Sequence, residues 1–306
     1  MAKVYVTGHK NPDTDSVVAA IAYAYFKSKV DIDDEYIPVI AGEPNDETSY
    51  VLNRFKIKKP ELITNVSGKK IILVDHNEMG QVVDGTDKAT IFEIIDHHKI
   101  GGLQTGAPIM FHAEPVGSTC TIIADFIFYH QLPLTKEMAG ALLAGVLSDT
   151  VIFKSPTTTE KDRRIAIKLA DLSGLVIDEF GLDVKKAKAS IAKMSANDVI
   201  MKDFKEFNKN DYKYGIGQIE IVDYAEAISR KKELLKELDN VRQVSGLKTA
   251  GLMVTNIILE ETKLWLSGET EIIKKAFNKQ IKDSEIILPG VLSRKKQVVP
   301  PIEAVL

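Results

Sequence analysis

A single cysteine, Cys120, is all that the 306 residues contain. An internal disulfide is therefore excluded, and the chain fits a reducing compartment. Cys120 stands in the apolar stretch Thr119 to Phe128, where a small buried residue is expected in preference to a reactive thiol. Long apolar runs are also missing. The longest, such as Ile91 to Ile95 and Ala139 to Leu147, fall well short of the roughly 20 residues that span a bilayer. The first residues run straight into a strand pattern without the apolar core and cleavage site of an export signal, so a cytoplasmic protein with no membrane partner is expected. The formal charge of −3 offers no basic footprint for duplex nucleic acid, and no nucleic-acid partner is expected. No glycine-rich turn is followed by Lys-Ser/Thr or set in G-x-G-x-x-G spacing. Gly101-Gly102 and Gly117-Ser118-Thr119 fit neither pattern, which argues against nucleotide binding by those routes. Histidine is absent after Asp198.

What is present is a set of four short segments, far apart in sequence, built on aspartate and histidine. They are His9-Lys10-Asn11-Pro12-Asp13-Thr14-Asp15, Asp75-His76-Asn77, Asp96-His97-His98 and Ser148-Asp149-Thr150. Three follow β-branched or apolar runs that read as buried strands or helices: Val4 to Val6, Ile71 to Val74 and Ile91 to Ile95. In an open α/β sheet ligands gather beyond the carboxyl ends of the strands, so these segments are expected to converge there.

Val4 to Val6 reads as a strand, Gly8 to Asp15 as a loop and Ser16 to Lys29 as a helix that Ser16 can cap. Tyr36 to Ala41, Lys70 to Asp75 and Thr90 to Asp96 read as further strands, with a helix over Glu47 to Phe55. Thr119 to Tyr129, Lys136 to Leu147 and Glu160 to Leu172 follow in helical period. This order predicts an α/β fold with a doubly wound, mainly parallel sheet in the N-terminal part. A polar, small-residue stretch near residues 186–196 reads as a linker, giving domains over 1–188 and 195–306. Beyond it, a strand over Tyr214 to Val222, one charged amphipathic helix over Ala225 to Val241, paired strands over Gly251 to Glu260 and Lys263 to Ser267, and a helix over Glu271 to Phe277 predict a smaller mixed α+β domain. The first part is net acidic and the last slightly basic.

Asp13 and Asp15, two apart in a loop after a strand, can bring two carboxylates and His9 to one cavity, although a helix-capping turn would use the same residues. Asp75 is delivered to the rim of the sheet, and a carboxylate there can bridge two cations, as an imidazole is unable to do. His76 and Asn77 suit a supporting role. Asp96-His97-His98 is the sharpest local signal. Adjacent residues of an extended segment point to opposite sides, so one imidazole can bind metal while the other meets substrate, with Asp96 fixing a tautomer. Asp149 alone would be a polar helix end and gains weight only from the other clusters. Arg294 and Lys295, between Pro289-Gly290 and Pro300-Pro301, are expected in a loop or short strand. There alternation would turn Lys296 the same way as Arg294. A guanidinium beside an ammonium suits a small, highly charged phosphate, and Lys205 is a further candidate.

Taken together, His9-x-x-x-Asp13-x-Asp15, Asp75, Asp96-His97-His98 and Ser148-Asp149-Thr150 resemble the DHH phosphoesterase superfamily. With Ser293-Arg294-Lys295-Lys296-Gln297 near the C-terminus, the chain closely resembles the family II, manganese-dependent inorganic pyrophosphatases over essentially its whole length. The resemblance implies that His9, Asp13 and Asp75 bind one metal ion and that Asp15, Asp75, His97 and Asp149 bind the other, with Asp75 bridging. It implies that His98, Lys205, Arg294 and Lys295 hold pyrophosphate, with His98 beside the leaving phosphate. A DHHA2-type second domain and a homodimer formed through the first domain are implied as well. No long insertion carrying nucleotide-binding modules is present.

The expected chemistry is hydrolysis of pyrophosphate to two phosphates. Two ions about 3.5–4 Å apart would lower the pKa of a bridging water and aim the hydroxide at phosphorus. Mixed oxygen and imidazole donors suit manganese or cobalt, with magnesium arriving on the substrate. An exopolyphosphatase or a short-oligonucleotide phosphodiesterase of the same superfamily is the alternative. The glycine- and histidine-rich motif of the phosphodiesterases is not found, and a binding module without turnover would not need His9, Asp75, His97, His98 and Asp149 together.

Overall fold

The structure, a computed structural model, describes residues 1–192 and 194–306, with the side chains of all of these but Lys188 and Ala189. It divides into two compact units, Met1–Lys188 and Ala189–Leu306.

The first unit runs β1 (Lys3–Thr7), α1 (Thr14–Val30), β2 (Glu35–Ile40), α2 (Asp46–Arg54), β3 (Glu61–Leu62), β4 (Lys70–Val74), β5 (Thr90–Asp96), β6 (Met110–Ala113), α3 (Thr119–Tyr129), α4 (Lys136–Asp149), α5 (Glu160–Ser173) and α6 (Ile177–Ala189). Its six strands pair in the order β3-β2-β1-β4-β5-β6, all parallel. Parallel strands covered on both faces read as unbroken apolar runs, which is why Ile71, Ile72, Leu73 and Val74 are all fully buried. Alternation then sorts them. Val4, Val6, Ile72, Val74 and Ile95 join the core shared with α1, α3, α4 and α5. Tyr5, Ile71, Leu73 and Ile94 face the other side, where Val66, Val82, Val83 and Leu103 of the connecting segments cover them. The strand order reverses direction between β1 and β4, the two strands whose carboxyl ends carry the His9 to Asp15 loop and Asp75. A crevice at that switch is where such sheets bind ligands.

The second unit runs α7 (Ala196–Met201), β7 (Phe204–Lys209), β8 (Tyr212–Ile221), α8 (Tyr224–Ser229), α9 (Lys231–Val244), β9 (Thr249–Asn256), β10 (Glu261–Gly268), α10 (Glu271–Phe277) and β11 (Glu285–Pro289), then a π-helical turn over Arg294–Val298 and α11 (Val299–Ala304). The sheet order is β11-β10-β9-β8-β7, parallel only between β8 and β9. Leu234, Leu238 and Val241 of α9 pack on Leu252, Val254 and Trp265, while Ile273, Val298 and Ile302 cover the opposite face.

Several expectations are corrected. Asp13, not Ser16, caps α1: its side chain accepts from Ser16 N, and the helix starts two residues early at Thr14. The expected linker begins inside α6, whose helical backbone continues through Ala189; Lys193 within that linker lies outside the described residues. The single helix expected over Ala225 to Val241 is two, because Asp223 caps α8 and the backbone leaves helical geometry at Arg230 before α9. The basic run Arg294-Lys295-Lys296 is helical, so alternation does not apply: Arg294 is buried while Lys295 and Lys296 are both exposed. Short strands β3, β6, β7 and β11 were not anticipated.

Gly145, in the middle of α4, shows how closely the helices are set. A Cβ there would stand 2.6 Å from Cys120 Sγ and 3.1 Å from Asp15 Oδ1. In an open helix Gly→Ala gains roughly 0.5–1 kcal/mol. Here overpacking, typically about 1–3 kcal/mol, should win, so Gly145→Ala is expected to destabilise the protein by about 1 kcal/mol or more. Urea denaturation checks this, and a stability gain would contradict the close approach.

Candidate metal centre

Six of the predicted ligands come together at the carboxyl ends of β1, β4 and β5 and the C-terminal end of α4. His9, Asp13 and Asp75 form one set of donors, and Asp15, Asp75, His97 and Asp149 form a second. Within each set the donor atoms all lie within 4.8 Å of one another. Asp75 is common to both, and it also joins His97 and His98 in a third set. Its two oxygens face different imidazoles. Oδ2 lies 3.5 Å from His9 Nε2, and Oδ1 lies 3.4 Å from His97 Nε2. His9 Nε2 to Asp13 Oδ1 is 3.7 Å, and His97 Nε2 to Asp149 Oδ2 is 3.6 Å. These separations are long for charge-assisted hydrogen bonds but natural between donors that each sit about 2.0–2.2 Å from a shared cation.

A second observation points the same way. His97 Nδ1 lies 2.9 Å from the Val116 carbonyl, so Nδ1 carries a proton and Nε2 is the nitrogen left to bind a cation once the ring is neutral. That Nε2 is buried and finds no hydrogen-bond partner among the described residues. A buried ring nitrogen facing two carboxylates is a metal-ligand geometry.

The chain reaches this arrangement at a local cost. Asp75, directly after β4, has φ +64°, and Val151, Ile152 and Phe153, just after Asp149, have φ of 53°, 52° and 61°. Non-glycine residues held there cost on the order of 1–3 kcal/mol each and gather at functional sites.

The N-terminus of α3 holds two of the carboxylates. Ser118 Oγ and Cys120 N donate to Asp15 Oδ1 at 2.6 and 2.9 Å, Thr119 N donates to Asp15 Oδ2 at 2.7 Å, and Thr119 Oγ1 donates to Asp75 Oδ1 at 3.0 Å. Asp162 anchors this helix start in turn, accepting from Gly117 N and Thr121 Oγ1. Gly117-Ser118-Thr119, which fits no nucleotide-binding pattern, is the start of this helix. The overlooked signal was a Ser-Thr pair directly before a helical run, which marks an N-cap. Cys120 is fully buried and its thiol is pushed well up by burial and by Asp15, so it is the structural residue expected.

His97 and His98 do not point to opposite sides. β5 ends at Asp96, the histidines lie in the bend beyond, and their rings are 4.1 Å apart. They differ in exposure instead, with side chains 10% and 50% accessible. Asp96 Oδ1 accepts from the backbone of both and from His98 Nδ1 at 2.9 Å, and Asn77 donates to its Oδ2 at 2.5 Å. That bond raises the pKa of His98, while burial of Asp96 is outweighed by its donors, which hold it below the usual carboxylate range. Lys205, Arg294 and Lys295 belong to the second unit. Lys205 and Lys295 are exposed. Arg294 is engaged internally: Nη2 donates to Asp203 Oδ1 at 2.8 Å, and Nη1 donates to the Asp203 carbonyl and, at 3.1 Å, to that of Ile216.

The electrostatics are those of crowded carboxylates looking for positive charge. Burial drives Asp15 upward and the charge of Asp75 adds to it. Asp75 is held well below the usual range because its contacts with His9 and His97 outweigh its burial. Burial alone would discharge the two histidines, but Asp13 and Asp75 raise His9 to about 10, and Asp75 and Asp15 raise His97 to about 9. Without metal, both imidazoles are therefore protonated at neutral pH. Since each pKa is higher in the folded than in the unfolded state, their contribution to stability is full below pH about 6.5. It is lost as pH rises through about 9 and then about 10. The metal-free protein should thus melt at progressively lower temperature from pH 7 to 10, and saturating manganese should flatten the trend because the ions replace the protons. Thermal melts across that range check this; a metal-free melting temperature that holds level or rises would contradict it.

Residues 3–146 match the DHH family, N-terminal domain, and residues 182–305 match the DHHA2 domain. A manganese-dependent inorganic pyrophosphatase of Methanothrix thermoacetophila is 46% identical over 304 residues, covering 98% of this chain and 97% of the relative. One from Methanocaldococcus jannaschii is 42% identical over 308 residues, covering 98% of each. Among solved structures, that of a Methanococcus jannaschii protein assigned to the family II inorganic pyrophosphatases superposes with a TM-score of 0.61 at 42% identity, covering 99% of both chains.

Proposed function

The chain belongs to the manganese-dependent inorganic pyrophosphatases, and from that membership we propose how its residues divide the hydrolysis of pyrophosphate to two phosphates. His9, Asp13 and Asp75 hold one manganese ion, and Asp15, Asp75, His97 and Asp149 hold the other. The observation that carries this reading is Asp75, whose two oxygens face His9 and His97 separately. The oxygen and imidazole donors suit manganese, and cobalt equally. Once bound, the metal pair supplies a water acidified into the neutral range and positive charge for phosphate oxygens.

The chain's own residues do the remainder. His98 is fixed through Nδ1 by Asp96 and so keeps Nε2 for the substrate, beside the leaving phosphate. Lys205, Arg294 and Lys295 neutralise the phosphate oxygens, and magnesium accompanies the substrate. Arg294 has a structural share as well, because its fork holds Asp203 and the Ile216 carbonyl. We take the protein to be cytoplasmic. Support comes from the lone buried cysteine and from the lack, among the described residues, of a helix long and apolar enough to cross a membrane. We take it to be a homodimer through the first unit, where β6, paired only with β5 among the described residues, is an edge strand carrying exposed Met110 and Phe111.

Phosphate release by metal-stripped protein resupplied with manganese and magnesium tests the function. Pyrophosphate should turn over rapidly, with tripolyphosphate and a dinucleotide far behind; preference for either of the latter would move the chain to a sister activity. Asp75→Asn should abolish turnover and leave fewer than two tight ions in a manganese titration. Lys295→Ala should raise KM with little change in melting temperature, whereas Arg294→Ala should raise KM and lower the melting temperature together. An unchanged KM in both variants would remove the basic pair from the substrate site.

A further inference from the structure

We propose that Glu47 is a positioning residue that ties the start of α1, from Asp13 to Asp15, to Asp149, fixing from behind the donor set completed by Asp75 and His97. This rests on the two-ion reading above.

Glu47 is a carboxylate with only 1% of its surface exposed, and it belongs to none of the three donor sets. It stands in the first turn of α2, a position that Asn45 fixes by accepting from Thr48 N at 2.8 Å. A negative side chain there is favoured by the helix dipole. One oxygen, Oε1, accepts two hydroxyl hydrogen bonds, from Thr14 Oγ1 at 2.6 Å and from Ser148 Oγ at 2.5 Å. Both are short hydroxyl–carboxylate hydrogen bonds.

The two donors give the contact its meaning. Thr14 lies between Asp13 and Asp15, and Ser148 directly precedes Asp149. The segments are joined to each other through this one oxygen, across more than a hundred residues of sequence. The start of α1 and the end of α4 therefore have a common support, which sets the spacing between Asp15 and Asp149. Partners that orient metal ligands are worth roughly 10–100-fold in metal affinity. The ion held by Asp15, Asp75, His97 and Asp149 depends on both arms, whereas the ion held by His9, Asp13 and Asp75 depends on the Thr14 arm alone.

The test is manganese binding to full-length, metal-stripped protein, followed by calorimetry and by the electron paramagnetic resonance signal of a coupled manganese pair. Wild type should take up two ions. Glu47→Ala should bind one of them about 10–100-fold more weakly, with loss of the coupled signal. Glu47→Gln, whose amide oxygen still accepts both hydroxyls, should restore most of the affinity and the signal. Should Glu47→Ala fail to fold by circular dichroism, Thr14→Val and Ser148→Ala, which leave the Glu47 side chain in place, make the same measurement. Two ions bound with wild-type affinity and an unaltered pair signal in the Glu47→Ala or the paired hydroxyl variants would overturn the positioning role. Fewer than two ions in wild type would instead overturn the two-ion reading beneath it.

Discussion

Four carboxylates and two imidazoles, drawn from four distant segments, share one crevice, and the rest of the first unit is arranged around their need for positive charge. Asp75 is the centre of the problem. It is almost wholly buried, it leaves β4 in a left-handed conformation, and it offers one oxygen to each imidazole. Without cations, like charges so placed would repel strongly in a medium of low polarity. Protonated His9 and His97 relieve this in part, and divalent ions relieve it fully. The same demand that makes the site costly to build makes it select for metal.

The scaffold meets that cost with direct, directional contacts. The reversal of strand order between β1 and β4 opens the crevice. The N-terminus of α3 donates to Asp15 and Asp75, the Val116 carbonyl orients His97, and Asp96 orients His98. Glu47 gathers Thr14 and Ser148. Gly145 lets α4 lie against Asp15 without a side chain between them. Few ligand side chains are left to find their own position, which is the preorganisation that metal-assisted hydrolysis requires.

Much of this was legible before the structure. The apolar runs at Val4 to Val6 and Ile71 to Val74 announce buried strands, and polar residues at their carboxyl ends announce a site, since period and burial are local properties of the chain. The full set of six candidate metal ligands came from the family resemblance, and the structure brings those residues together. What escaped was set by tertiary contact. Thr119 and Glu47 look like ordinary helix-terminal residues, and only packing shows that Thr119 bonds Asp15 and Asp75 while Glu47 bonds Thr14 and Ser148, the neighbours of Asp13, Asp15 and Asp149. The break at Arg230 and the helical Arg294–Val298 turn depend on capping and side-chain contacts, in particular on Gln297, which accepts from Leu292 N and Ser293 N. The exposure of the two histidines depends on a bend that begins where β5 stops, and a one-residue boundary of that kind is beyond periodicity.

The central claim is that one carboxylate, Asp75, serves two manganese ions. Diffraction from crystals grown with manganese, recorded at the manganese absorption edge, addresses it directly. The account predicts two anomalous peaks in the first unit, one within bonding distance of His9, Asp13 and Asp75 and the other within bonding distance of Asp15, Asp75, His97 and Asp149, with a different Asp75 oxygen reaching each. A single peak, or two peaks of which Asp75 touches only one, would contradict it.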